Sequence, residues 1–171
     1  MAGAPFLEGE RLTLRTVEQA DHEFLHRYWN DPRIRRGFAW HHPRREPELD
    51  SLITDTDTAV HFIPTHDGEP VGFLWLFDID EVADRGELGY WIAPDAQGNG
   101  YGTETVALAI EYAFNDRGLH KLMARVFAWN DPSRRILEHH GFHQEGLLRD
   151  HYFVDGAYVD TYLFGLLADE Q

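Results

Sequence analysis

The 171 residues carry 30 acidic side chains against 15 basic ones, a formal charge of −15, and no cysteine. This excludes disulfides, thiolate metal sites and an acyl-cysteine intermediate, and it sets the chain against direct binding of DNA, whose phosphates an acidic surface repels. With 43% hydrophobic and 13% aromatic residues, the length suits one domain, residues 1–171, with a sizeable core. No run of about 18 apolar residues is present to span a bilayer, and MAGAPFLEGE lacks the basic and apolar blocks of a secretory leader. A soluble cytoplasmic protein is expected. Lys121 is the single lysine and the acids are spread along the chain. That pattern reads as a solvated surface suited to a salt-rich, halophilic cytoplasm rather than a local funnel for a cationic amine, since at molar salt the Debye length is only about 3 Å.

In chain order, Arg11 to Arg15 alternates Leu12 and Leu14 with polar residues, a first strand. A helix is expected over Gln19 to Trp29, with Ala20, Phe24 and Tyr28 on one face, Leu25 alongside and Asp31-Pro32 as the stop. Arg33 to Pro47 has no period and reads as a loop leading into a short helix near Glu48 to Thr54. Ala59 to Pro64 and Val71 to Phe77 are strands joined by a hairpin at His66 to Glu69, and Glu87 to Ile92 is the next strand. A helix over Tyr101 to Asn115 places Val106, Ile110, Ala113 and Phe114 together. Leu122 to Ala128 is a buried strand. A short helix follows, with Asp131 as N-cap, Pro132 at N1 and Gly141 as its stop. Phe142 to Val154 and Tyr158 to Leu166 close as a hairpin around Asp155-Gly156. The sum is an α/β fold, a mixed sheet flanked by helices.

Between the strand ending at Ile92 and the helix opening at Tyr101 lies Gln97-Gly98-Asn99-Gly100-Tyr101-Gly102. A turn with three glycines lets consecutive backbone N–H groups converge on an anion at the positive end of a helix. It is not a P-loop, because Gly102 is followed by Thr103 and Glu104 without a lysine. It is not a dinucleotide turn, because the third glycine position falls on Thr103 or Thr105. The run matches Q/R-x-x-G-x-G/A, and with ERLTLR at 10–15, WNDP at 29–32, GYWIAP before the glycines and WNDPSRRILEHHGF at 129–142, the chain resembles the GNAT N-acetyltransferase superfamily. Within it, the resemblance is to the branch containing the ribosomal-protein alanine and serine N-acetyltransferases.

The resemblance implies a mostly antiparallel central sheet with two splayed central strands. It implies acetyl-CoA as cosubstrate, its pyrophosphate on the backbone of Gln97, Gly98, Asn99, Gly100, Tyr101, Gly102 and Thr103. The pantetheine arm would pair with the strand end at Trp91, Ile92 and Ala93, where a backbone N–H near Ile92 could polarise the thioester carbonyl. Asn130 and Ser133 match an N-x-x-S element, Asn130 toward the coenzyme arm and Ser133 toward the departing thiolate, with turn and capping chemistry as the plain alternative. Some relatives carry a glutamate base and a tyrosine acid at the positions corresponding to Arg125 and Leu137. Glu87 is the carboxylate left as the candidate base, with Glu145 behind it, each acting through water and each open to being a structural ion pair. His61 and His151 are weaker candidates among eleven histidines, and the pairs His41-His42 and His139-His140 do not have metal-site spacing. No metal is expected. The partners expected are acetyl-CoA and either a protein N-terminus or a small amine such as a polyamine. A non-catalytic coenzyme-binding module is the third reading, and the sequence leaves the oligomeric state open, a homodimer included.

Overall fold

The computed structural model describes residues 2–51 and 59–171. Among the described residues nine strands form one sheet: β1 (Pro5–Glu8), β2 (Thr13–Thr16), β3 (Val60–His66), β4 (Glu69–Pro70), β5 (Gly72–Asp80), β6 (Arg85–Ile92), β7 (Lys121–Phe127), β8 (His143–Val154) and β9 (Ala157–Leu167). Their order across the sheet is β1-β2-β3-β5-β6-β7-β9-β8, with β4 beside β3. Every pairing is antiparallel except β6 with β7, which is parallel. Helix α3 (Tyr101–Glu111) makes the crossover that a parallel pair requires. The other α-helices among the described residues are α1 (His22–Trp29), α2 (Pro32–Arg35) and α4 (Asp131–His139).

Several expectations need adjusting. Strand β1 adds to the expected elements, its four residues including a proline and carrying no readable alternation. The first helix begins as a 3-10 turn at Gln19–Asp21, and its buried face is His22, Leu25, Tyr28 and Trp29, with Ala20 exposed. Asn30 is the C-cap of that helix, and Asp31-Pro32, expected as a stop before a loop, instead starts the short helix α2, the Asp31 side chain accepting from the Arg33 N–H at 2.8 Å. Glu46–Asp50 is a 3-10 turn, and the rest of the short helix expected up to Thr54 lies largely outside the described residues. The helix expected to reach Asn115 leaves α geometry at Glu111 and continues as a π turn over Tyr112–Asp116. Asn130, not Asp131, is the N-cap of α4, which puts Pro132 at N2 rather than N1. Its Oδ1 reaches the Ser133 N–H, three residues on, which is the reach a capping side chain has.

Alternation along β5, β6 and β7 divides the core. Leu74, Leu76, Leu88, Leu122, Ala124 and Val126 pack with Val106, Ala109 and Ile110 of α3 and Leu137 of α4. On the opposite face Phe73, Trp91 and the half-buried Trp75 pack with Leu25, Tyr28 and Trp29 of α1 and Ile34 of α2. Trp75 lies directly across the ladder from Gly89, and its indole covers the glycine so closely that an added Cβ would stand 2.3 Å from Trp75 Cε2. Replacing Gly89 by alanine forces the indole off the strand. The expected cost is about 1–3 kcal/mol, as for other overpacked core sites. Urea denaturation should show the midpoint falling at constant slope, and an unchanged midpoint would show that the ring moves freely.

Candidate active site

The glycine turn forms as its residues dictate. Gly98 and Gly100 take φ of 80° and 79°, a left-handed conformation that costs a side chain about 1–2 kcal/mol per residue. Gly102 is already helical, and its bare Cα allows Ile136 of α4 and Tyr90 of β6 to close in. Gly100 is the N-cap of α3 and brings no side chain to it, so the first-turn N–H groups are left for an external acceptor. Asn99 holds the turn from within, its Nδ2 donating to the Ala96 and Gln97 carbonyls at 3.0 and 3.3 Å, and Gln97 Nε2 donates to the Ile92 carbonyl at 3.0 Å. A carboxylate at Glu104, in the first turn, would oppose an anion. It is instead engaged by the Arg11 and Leu12 N–H groups at 2.7 and 2.9 Å and by Arg11 Nε at 3.2 Å. Burial works to raise the Glu104 carboxyl, and those donors outweigh it and hold it below the ordinary value. Arg11 Nη1 also donates to the Asn99 carbonyl at 2.7 Å, which ties the turn to the N-terminal strands.

From this cradle a cavity of about 780 Å³ runs between β6 and β7. The parallel ladder stops at Leu88 opposite Ala124. Beyond it, β6 stays paired with β5 as far as Ile92, and β7 stays paired with β9 as far as Phe127. Each strand follows its outer neighbour, so the two part. The opening joins the two faces of the sheet. On the α3/α4 side it is lined by Gly98, Gly100, Tyr101, Gly102, Thr103, Asn130 and Ser133. On the other side it is lined by Phe38, Trp40, Trp75, Phe77, Arg125 and Tyr152.

Among the described residues two polar pairs stand at this opening. On β6, Glu87 is 6% exposed and pairs with Arg125 Nε of β7 at 3.1 Å, while Arg125 Nη1 donates to the Tyr152 hydroxyl at 3.5 Å. Burial raises the Glu87 carboxyl, the Arg125 guanidinium pulls it down and Asp78 adds to the rise; the net direction is up. On the opposite face the Tyr90 hydroxyl and Ser133 Oγ lie 3.2 Å apart. Burial pushes the Tyr90 phenol up, against the Ser133 hydrogen bond.

The cavity therefore brings together Glu87, Trp91, Ile92, Gln97, Gly98, Gly100, Tyr101, Gly102, Thr103, Asn130 and Ser133. It leaves out Ala93, whose N–H is taken by the Val71 carbonyl at 2.8 Å, and Asn99, which serves the turn. Glu145 pairs with Lys121 at 2.7 Å away from the cavity, and His61 and His151 do not line it. Sequence reasoning missed Arg11, whose partners are remote in the chain, and the Tyr152 end of the Glu87 ion pair.

The acetyltransferase (GNAT) domain model matches residues 11–143. The chain is similar to the N-acetyltransferase p20 of Bacillus licheniformis, 31% identical over 169 residues, which covers 94% of this chain and 95% of p20. Among solved structures it is similar to spermidine N-acetyltransferase from Vibrio cholerae in complex with CoA and spermine. The TM-score is 0.88 at 26% identity, covering 95% of this chain and 98% of that one. It is also similar to Mycobacterium smegmatis RimJ in complex with CoA-disulfide, with TM-score 0.82 at 27% identity over 93% of this chain and 83% of that one.

Proposed function

The chain belongs to the acetyltransferase (GNAT) family, and from that premise we propose that the amine it acetylates is a protein N-terminal α-amine, of the ribosomal-protein serine or alanine type. It is an acetyl-CoA-dependent N-acetyltransferase. The glycine turn and the uncapped start of α3 suit the pyrophosphate of acetyl-CoA, and the open strand end of β6 suits its pantetheine arm. The bound thioester supplies the acyl group. In this reading Glu87 takes the proton of the attacking amine through water, and Ser133 faces the departing sulfur.

The observation that carries the choice of acceptor is the charge of the cavity wall. Among the described residues lining it there is one carboxylate, Glu87, already paired with Arg125, and a second guanidinium, Arg33, itself paired with Asp31 at 2.6 Å. Among those residues a polyamine, with several positive charges, would meet two paired guanidiniums and no unpaired carboxylate. An N-terminus brings one amine that titrates near 7.7–8.0, against about 10.4 for an alkyl amine. That gap is roughly 3.4 kcal/mol of deprotonation, which suits a site whose one carboxylate is held by an arginine. The spermidine reading draws on the likeness to the Vibrio cholerae enzyme and on the −15 net charge.

Release of CoA thiol in molar KCl separates the two. N-terminal Ser and Ala peptides should turn over with kcat/KM at least tenfold above a lysine peptide and spermidine. A preference for spermidine would overturn the proposal.

A further inference from the structure

We propose that Tyr90 is a positioning residue for the leaving thiol: its hydroxyl donates to Ser133 Oγ and so turns the serine's own proton toward the departing sulfur. The inference rests on the reading above in which Ser133 faces that sulfur. Among the residues of α4 that line the cavity, Pro132, Ser133, Ile136 and Leu137, only Ser133 carries an exchangeable side-chain proton. Its backbone N–H is already committed to Asn130 Oδ1 at 3.3 Å, which fixes the serine at the third position of the helix. Its hydroxyl then has Tyr90 at 3.2 Å on one side and the cavity on the other. A phenol is a far stronger acid than an alkyl alcohol, so in a tyrosine–serine pair the phenol is the better donor. When Tyr90 donates, the Ser133 proton is free to point outward. When Ser133 donates instead, its proton is spent on Tyr90 and the sulfur loses its partner.

The surroundings hold the phenol in that role. The Tyr90 ring packs against the large core cluster, and its Cε2 lies 3.7 Å from where a Gly102 Cβ would stand, so α3 and α4 enclose it. Burial keeps it protonated through the neutral range. In the transfer the amine nitrogen bonds to the carbonyl carbon, the carbon–sulfur bond breaks and its electron pair passes to sulfur. The amine proton goes to Glu87 through water. A thiol is a far stronger acid than an alkyl alcohol, and burial raises the phenol behind it, so the proton stays on the hydroxyl pair. The thiolate leaves as a hydrogen-bonded anion that takes its proton from water on release.

The test needs no acceptor, so it stands or falls apart from the choice of α-amine. The thiol of CoA bound to the protein is titrated by the ultraviolet absorbance of its thiolate, with desulfo-CoA complexes as blanks. In Tyr90→Phe the bound thiol should titrate about one unit higher than in the native protein, a tenfold loss of thiolate preference, while CoA affinity at low pH stays within twofold. Ser133→Ala should give the same rise, and the double variant no more than either single one, because Tyr90 acts through Ser133. An unchanged thiol titration in Tyr90→Phe overturns the proposal. So does a double variant in which the two rises add, since that would make Tyr90 an independent contact. Phenylalanine keeps the ring that packs on Gly102, and equal melting temperatures confirm that the fold is retained.

Discussion

Glu87→Gln is expected to lower kcat/KM about a hundredfold at neutral pH and to remove one limb of the pH profile. A positioned base contributes about 10²–10⁴, and an α-amine that is partly neutral near pH 8 needs the lower end of that range. In the native protein the rate should rise as Glu87 loses its proton. Burial lifts that carboxyl above the ordinary value of about 4.3 despite Arg125, so the limb lies on the alkaline side of a free glutamate. With glutamine in place, only the deprotonation of the acceptor itself remains, and activity should recover toward high pH. The glutamine carbonyl still accepts from Arg125, so the melting temperature and the KM for acetyl-CoA should hold. A variant that keeps half or more of native kcat/KM across the pH range would reduce Glu87 to a structural partner of Arg125.

Replacing Gly98 and Gly100 together by valine should weaken CoA binding about a hundredfold while moving the melting temperature little. Both glycines sit at φ near 80°, where each side chain costs about 1–2 kcal/mol, and the loop escapes the strain by turning its N–H groups away from the anion. Two such penalties sum to about 3 kcal/mol, and each 1.4 kcal/mol is a tenfold change in affinity. A Cβ at Gly98 meets nothing within 4 Å and the atoms nearest to one at Gly100 are the guanidinium end of the half-exposed Arg11, so the core is spared. Calorimetric titration with CoA beside a thermal melt distinguishes the outcomes. Native affinity in the double variant would show that these N–H groups do not hold the pyrophosphate.

The parts of the fold legible in the sequence were those specified by neighbours. The glycine run, the Asp155-Gly156 hairpin and the Gly141 stop each act over a few residues, and all three residues that lead them, Gly98, Gly141 and Gly156, have positive φ in the structure. The cap of α4 was misread by one position because Asn130 and Asp131 are both capping residues, and only the direction of the side chain distinguishes them. The identity of Glu87 as a residue at the cavity was legible from its strand. Its guanidinium partner was not, because Arg125 lies on another strand and reaches it only through the β6–β7 pairing.

By itself, then, the sequence determined the order of the longer elements, the glycine turn and the exclusion of cysteine chemistry, because backbone conformation and composition are local properties. Tertiary structure alone decided that the β6–β7 ladder ends at Leu88, that Arg11 neutralises Glu104 from 93 residues away, and that Tyr90 meets Ser133 across 43 residues. Those contacts depend on which strands become neighbours and where their pairing stops, and both are set by the packing of the whole sheet against its helices rather than by any run of residues along the chain.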